Sequence, residues 1–311
     1  MYKRILVALD GSQPSESILP YARSFAKTLK IPVELLQVID PATLIPVAAV
    51  KHVHYQDVLT VERKYSSDYL KQVATSFSEP SSVNYSVEIG RPAEVIIDRA
   101  AAQAGTLIAM TTHGRSGITR WLLGSVAEKV LHAATHHLLL VRTTGEIKKP
   151  EAAALRRVVV PLDGSELAEM AIPHAVELAR KMDLEIVLLR VFALPTPAYA
   201  AEEYAPNLEE LWEQTRREAG EYLEKKLHQL QKEGLGRAST VLLEGYAAEK
   251  IINLARERAE SLVAMCTHGR TGVGRWVLGS VTDRVVRHSD NPVLVIRAPI
   301  AKMALRVPVL L

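Results

Sequence analysis

The sequence predicts an α/β protein of two similar domains, each an open parallel sheet with helices on both faces. Three observations carry this. Short β-branched and aliphatic runs alternate with longer amphipathic stretches, the order that builds a parallel sheet, since each strand needs a crossover before the next. The runs Leu138–Val141 and Val293–Ile296 are apolar at every position, as strands buried on both faces are. The whole series also occurs twice.

The repeat fixes the organisation. The run Ile5 to Ser12 (ILVALDGS) returns as Val158 to Ser165 (VVVPLDGS), an offset of 158 − 5 = 153. Leu35 to Val38 returns as Leu188 to Val191 at the same offset. Thr112 to Val126 returns as Thr267 to Val281 at 267 − 112 = 155, with 11 of 15 positions identical. Two residues are therefore inserted in the second copy between Val191 and Gly245. A unit this long is a domain, not a solenoid repeat. The boundary falls between Thr143 and Leu155, where Gly145, Lys148, Lys149 and Pro150 make a polar, turn-rich linker. The expected division is residues 1–145, a linker at 146–155, residues 156–298, and a tail at 299–311.

In the first copy, Ile5–Leu9 reads as a strand and about Glu16–Leu29 as a helix. Val33–Ile39 is a second apolar run. Pro41–Val50 is an apolar, Pro-containing connection, a lid, a partner surface or a covered loop. A helix lies within Gln56–Phe77. Val83–Ile89 alternates and reads as a strand, and Pro92–Gln103 as a helix with Pro at its first turn. Leu107–Met110 is a strand, a helix follows Ser125, and Leu138–Val141 is the last strand. The second copy repeats the series, with Ala193–Pro206 as the Pro-containing connection and the charged stretch Glu209–Lys232 as the wet face of a helix. Strand order is not legible from one sequence.

Composition sets the class. The 311 residues are 48% hydrophobic and 23% charged, values of a globular chain long enough for two cores. Lys+Arg number 38 against 35 Asp+Glu, so the chain has neither the basic footprint of a nucleic-acid binder nor an acidic tail. No apolar run reaches the roughly 18 residues of a membrane span, and no long apolar leader follows Met1. Cys266 is the single cysteine, which fits a reducing compartment and a cytoplasmic location.

Ligands of open α/β sheets bind beyond the carboxyl ends of the strands. Asp10-Gly11-Ser12 and Asp163-Gly164-Ser165 follow the first strand of each copy. Asp at this place either makes an Asx turn or meets a ligand, and the two coexist readily. Val38 and Val191 end the second strand. The Gly-rich segments Thr111–Ser125 and Cys266–Ser280 follow the fourth. Gly114, Gly117 and Gly124 allow positive φ and close approach to a ligand, and Ser125 is a suitable N-cap for the helix behind it. Free N–H groups and the dipole at that helix start favour an anion, and Arg115 and Arg120 add positive charge. A short Gly pair alone is as well explained by an ordinary capped loop. Two copies at one spacing in the right context favour a phosphate site.

These residues resemble the universal stress protein family, in a tandem form covering nearly all of residues 1–298. Nucleotide-binding members of that family show Gly, two residues, Gly, nine residues, then Gly-Ser or Gly-Thr. Here Gly114 is followed by nine residues and Gly124-Ser125, and Gly269 by nine residues and Gly279-Ser280. Thr111 and Cys266 occupy the place of the first Gly. The resemblance implies five-stranded parallel sheets in the order 3-2-1-4-5 and ATP, with magnesium, as ligand. It implies nucleoside contacts from Leu9, Asp10, Leu162 and Asp163, and adenine packing against Val38 and Val191, which are equally well plain core. Met110 and Met265 touch the base or fill the sheet end. Ser125 and Ser280, with Val126 and Val281 behind them, sit at the phosphates beside Arg115 and Arg270. His113 and His268 bond the loop backbone or a phosphate. The family's last strand commonly pairs domains, so Leu138–Val141 and Val293–Ile296 are expected to join the copies. A homodimer and an unidentified protein partner are the further expectations.

Other residues read plainly. His132, His136 and His137 are a helix end and turn, because the second copy has Arg287, Asn291 and Pro292 there and no Cys or carboxylate completes a metal site. His52 and His54 are exposed loop residues. Cys266 is a small buried residue. No general base and no Lys after a Gly-rich phosphate loop is seen, so no residue is singled out as catalytic, and slow hydrolysis or autophosphorylation is the most that is expected. The expected function is an ATP-binding, stress-linked regulator. The alternative is an interaction scaffold of the same fold that binds no nucleotide.

Overall fold

The computed structural model describes residues 2–78, 82–112, 123–143, 153–193, 208–267 and 278–298. The linker positions 144–152, the tail 299–311 and most of the connection Ala193–Pro206 lie outside them. The chain divides into two compact units, with the boundary at Ala154/Leu155 and with Val286–Arg297 belonging to the first.

In the first unit, β1 (Arg4–Leu9) leads through a 3-10 turn (Pro14–Ile18) into α1 (Leu19–Leu29) and then β2 (Val33–Ile39). There follow α2 (Pro41–Lys51), α3 (Tyr55–Ala74), β3 (Val83–Ile89), α4 (Pro92–Ala101), β4 (Thr106–Thr111), α5 (Ser125–Ala133) and β5 (His137–Val141). The sheet runs β3-β2-β1-β4-β5, all parallel, with Ile5 opposite both Val33 and Leu107. Every residue of β4 and all of β1 after Arg4 is buried, so both faces of the sheet centre are covered, which is why the apolar runs do not alternate.

In the second unit, β6 (Arg157–Pro161), α6 (Glu166–Glu169), α7 (Ala171–Met182), β7 (Glu185–Phe192), α8 (Leu208–Lys232), β8 (Ala238–Glu244), α9 (Ala247–Glu257), β9 (Ser261–Cys266) and the start of α10 (Ser280–His288) follow in turn. Their parallel sheet, β8-β7-β6-β9, keeps the order of the first copy. The fifth strand of the series, β10 (Val293–Ile296), falls in the first unit, where it pairs antiparallel with β5 through Val293–Leu140, Leu294–Leu139 and Val295–Leu138. The sheets thus depart from two separate five-stranded ones. β5 is buried at four of its five positions, and an open edge of that kind invites pairing, which β10 supplies. Arg142 donates to Asp290 at 3.0 Å and Arg287 to Glu128 at 3.1 Å beside this pairing.

Three local expectations are corrected. The connection at Pro41–Val50 is the helix α2. Asp40 caps it by accepting from Ala42 N at 2.9 Å, Pro41 sits at its first position, and Leu44 and Ala48, one turn apart, are buried. Pro46 lies inside it. The helix expected from Glu16 starts at Leu19, because Ser15 N and Glu16 N bond back to Ser12 O and Gln13 O in the tighter 3-10 pattern. The N-cap of α5 is Gly124 rather than Ser125. Gly124 is extended, at φ −62 and ψ 144, and its carbonyl already accepts from Glu128 N at 2.8 Å, which leaves Ser125 as the first helical residue.

Candidate functional site

At the carboxyl end of β1 the chain turns through Asp10-Gly11-Ser12. Gly11 has φ 80, a left-handed conformation that suits glycine. Asp10 Oδ1 accepts from Ser12 N at 2.9 Å and from Ser12 Oγ at 2.6 Å, so the Asx turn is real. The second copy repeats it: Gly164 has φ 84, and Asp163 Oδ1 accepts from Ser165 N at 2.9 Å and Ser165 Oγ at 2.6 Å. Ser165 also caps α6 by accepting from Ala168 N at 3.1 Å. One oxygen of each carboxylate is thus held by the turn.

The fourth strand meets the next helix at the other side of this point. Gly124 N donates to Thr112 O at 2.8 Å, and Gly279 N to Thr267 O at 2.8 Å. These bonds pin each helix start to its strand end. In the second copy Thr282 Oγ1 adds a bond to Cys266 O at 2.8 Å, where the first copy has Ala127. The first-turn N–H groups of α5 and α10 have no acceptor within their helix, and the dipole makes that end positive.

A cavity of about 310 Å³ opens between these elements in the first unit. Leu9, Asp10, Val38, Met110, Thr111, Gly124, Ser125 and Val126 all line it, and a second cavity of about 270 Å³ is lined by Leu162, Asp163, Val191, Met265, Cys266, Gly279, Ser280 and Val281. These are all the described candidate residues of each copy. His113, Gly114, Arg115, Gly117, Arg120, His268, Gly269 and Arg270 lie outside the described residues. Each cavity has two chemistries. Leu36, Val38, Ile96 and Met110 give the first an apolar end, and Leu189, Val191, Ile251 and Met265 do so in the second. The Asp turn and the helix start line each cavity as well. Thr111 and Cys266 are 6% and 4% exposed.

Sequence reasoning placed a helix after the third strand, at Pro92–Gln103, but did not assign it to the site. Pro92 and Ile96 of α4, and Ala247 and Ile251 of α9, form one wall of each cavity. The signal was the recurrence of Ile at 96 and 251, at the same offset of 155 as the Gly-rich loop. A Glu–Tyr pair beside the Asp turn was also missed. In the second copy Tyr222 donates to Glu169 at 2.9 Å, Lys226 donates to the other oxygen at 2.6 Å, and Arg190 lies 4.9 Å over the Tyr222 ring. Burial and the Glu169 hydrogen bond push the Tyr222 hydroxyl well above its ordinary pKa. Tyr69 is shifted the same way by burial and by the charge of Glu16. Glu16 and Tyr69 correspond to Glu169 and Tyr222 at the offset of 153.

The remaining candidates sit away from the cavities. His52 closes α2 at φ 51, His54 starts α3, and both are exposed. His132 ends α5, and His137 accepts or donates at Nδ1 to Tyr2 Oη at 3.1 Å. Burial and the nearby Arg4 lower the pKa of His136. Among the described residues no three His, Cys, Asp or Glu side chains gather as a metal cluster, and no helix is long and apolar enough to cross a membrane.

The sequence model of the universal stress protein family matches this chain twice, over residues 1–142 and 154–297. The chain belongs to the universal stress protein family. Its tandem form is shared with a universal stress protein of Mycolicibacterium smegmatis, 27% identical over 94% of this chain and 96% of that one. One copy alone is 32% identical to a universal stress protein of Methanocaldococcus jannaschii, over 46% of this chain and 83% of that one. A crystal structure of a universal stress protein from Archaeoglobus fulgidus superposes with TM-score 0.67 at 21% identity, covering 96% of this chain and 97% of that one. That likeness establishes the fold.

Proposed function

We propose that each domain binds an adenine nucleotide, ATP in the first instance, and that occupancy makes the chain a nucleotide-dependent regulator of the stress response. One observation supports this most: in both copies, all the described candidate residues face a single cavity with an apolar end and a helix-start end. The apolar residues suit a purine, and the helix start suits phosphates, which the dipole and the first-turn N–H groups, without acceptors in their own helix, attract. The volume of the first cavity lies in the range of small-molecule sites and that of the second just below it.

The donor set also fits magnesium held mainly by phosphates. Mg²⁺ takes one or two carboxylates and keeps its other positions for phosphate and water. Asp10 and Asp163 are the carboxylates among the described lining residues, each with one oxygen held by its turn. Bound magnesium would neutralise phosphate charge. Among the described residues the titratable side chains lining the cavities are Asp10 in the first and Asp163 and Cys266 in the second, and the reading is of a binding role, with the bound state read by a protein partner or by a second copy of the chain. The reading extends to a reducing, cytoplasmic setting.

Substituting Val38→Trp and Val191→Trp one at a time fills the apolar end of one cavity. Equilibrium dialysis should then count one ATP per chain for each variant against two for the unchanged protein. Two for either variant overturns the assignment of that cavity.

A further inference from the structure

The two cavities share their floor but not their rim. The turn after the third strand of each series is built alike. Gly90 N donates to Ile39 O at 3.0 Å in the first unit, and Gly245 N to Phe192 O at 2.9 Å in the second. Both glycines have positive φ, 155 and 128. A Cβ on Gly245 would stand 2.8 Å from Lys250 Cε, the far end of a side chain that can move aside, so it is the backbone conformation that keeps this turn for glycine. The next residue is the N-cap of the helix that walls the cavity, Arg91 in the first unit and Tyr246 in the second, each extended with its carbonyl accepting from the residue four on at 3.0 Å.

This construction fixes where Tyr246 stands. Its predecessor is bonded to the end of β7, one residue past Val191, which lines the apolar end. Its successor, Ala247, lines the same cavity. Tyr246 therefore belongs to the rim on the Val191 side. It is 79% exposed, a large aromatic surface left in water beside an apolar cavity. Arg91, at the corresponding rim, is 80% exposed in its side chain and pairs with Glu94 at 3.1 Å. Ala247 replaces Pro92 next to it.

We propose that Tyr246 is a base-stacking, specificity-determining residue of the second cavity, closing a purine ring against the Val191 side, where the first cavity has Arg91 at the corresponding position. The inference rests on the nucleotide reading above and goes beyond it by making the second site base-dependent. Aromatic rings bind nucleobases through their faces without reading their edges, so the second site should discriminate by the presence and size of the ring system.

The test is calorimetric titration of the full chain with ATP and with inorganic tripolyphosphate, which has no base. Tyr246→Ala should weaken one of the two ATP sites by about 5- to 150-fold, the range expected for loss of one stacking platform, and leave the other unchanged. Tyr246→Phe keeps the ring and should restore the affinity. Tripolyphosphate affinity should be the same in all three proteins. Tyr246 is exposed, so the variants are expected to fold, and matched thermal unfolding checks this. If ATP binds Tyr246→Ala and the unchanged chain equally at both sites, the inference fails and the nucleotide reading stands. Equal weakening of ATP and tripolyphosphate also overturns it. If no protein binds ATP, both fail.

Discussion

Ser165→Ala tests the wiring of the Asp turn. Ser165 is 6% exposed, and its hydroxyl has two tasks: it donates to Asp163 Oδ1 at 2.6 Å and accepts from Ala168 N at 3.1 Å at the start of α6. Loss of a Ser cap costs about 1 kcal/mol, and loss of a hydrogen bond to a charged group about 1.5–3 kcal/mol. One hydroxyl serves both, so the terms do not simply add, and a loss of about 2–3 kcal/mol is expected. The second unit can be followed through Trp212, whose ring packs edge-on against Phe192 at 5.9 Å. With a urea slope of roughly 1–3 kcal/mol per molar, the midpoint of that transition should fall by about 1 M or more. Ser12→Ala should cost less. Ser12 makes the same 2.6 Å bond to Asp10, but its contact to Ser15 N is 3.3 Å and the 3-10 turn behind it has no side-chain cap. A loss below about 0.5 kcal/mol for Ser165→Ala, the level of an ordinary surface change, would refute the claim that this serine holds the turn.

Other outcomes follow from the same structure. Glu34→Gln should lower stability by about 3 kcal/mol by thermal unfolding, because it leaves the partly buried Arg4 guanidinium and Arg99 without their shared, buried carboxylate. Burial lowers the pKa of His174 below 6.5. The unfolded chain then binds more protons, so stability should be full above pH 6.5, fall as the pH drops below it, and level off below the folded pKa; His174→Gln should flatten that slope in unfolding measured against pH. Cys266 is the single thiol and lines the second cavity, so ATP should slow its reaction with a thiol reagent, while Val191→Trp should abolish that protection.

The strands were legible because their physical signal is local. Ile5–Leu9, Val33–Ile39 and Val83–Ile89 are apolar or alternating runs between turn residues, and the strands fall there within a residue. The cavity linings were legible for a different reason: Asp10, Val38 and Ser125 recur as Asp163, Val191 and Ser280 at strand ends, where an open sheet gathers its ligand contacts. What was missed depends on competition between signals. Pro41 and Pro46 read as helix breakers, yet the Asp40 cap and the burial of Leu44 and Ala48 outweigh one interior proline. Ser125 has the better capping side chain, but the bond from Gly124 N to Thr112 O sets the helix start one residue earlier. The walls at Ile96 and Ile251 were hidden because an amphipathic helix does not show which buried residue faces a cavity.

If both cavities hold nucleotide, the full chain takes up ATP twice. Calorimetric titration of the full chain with ATP and magnesium, against AMP and GTP and alongside thermal unfolding, tests it most directly. Two ATP per chain are expected and, at about 100 times the dissociation constant, roughly 2.7 kcal/mol of added stability for an occupied domain. No heat of binding and no thermal shift with ATP would contradict it.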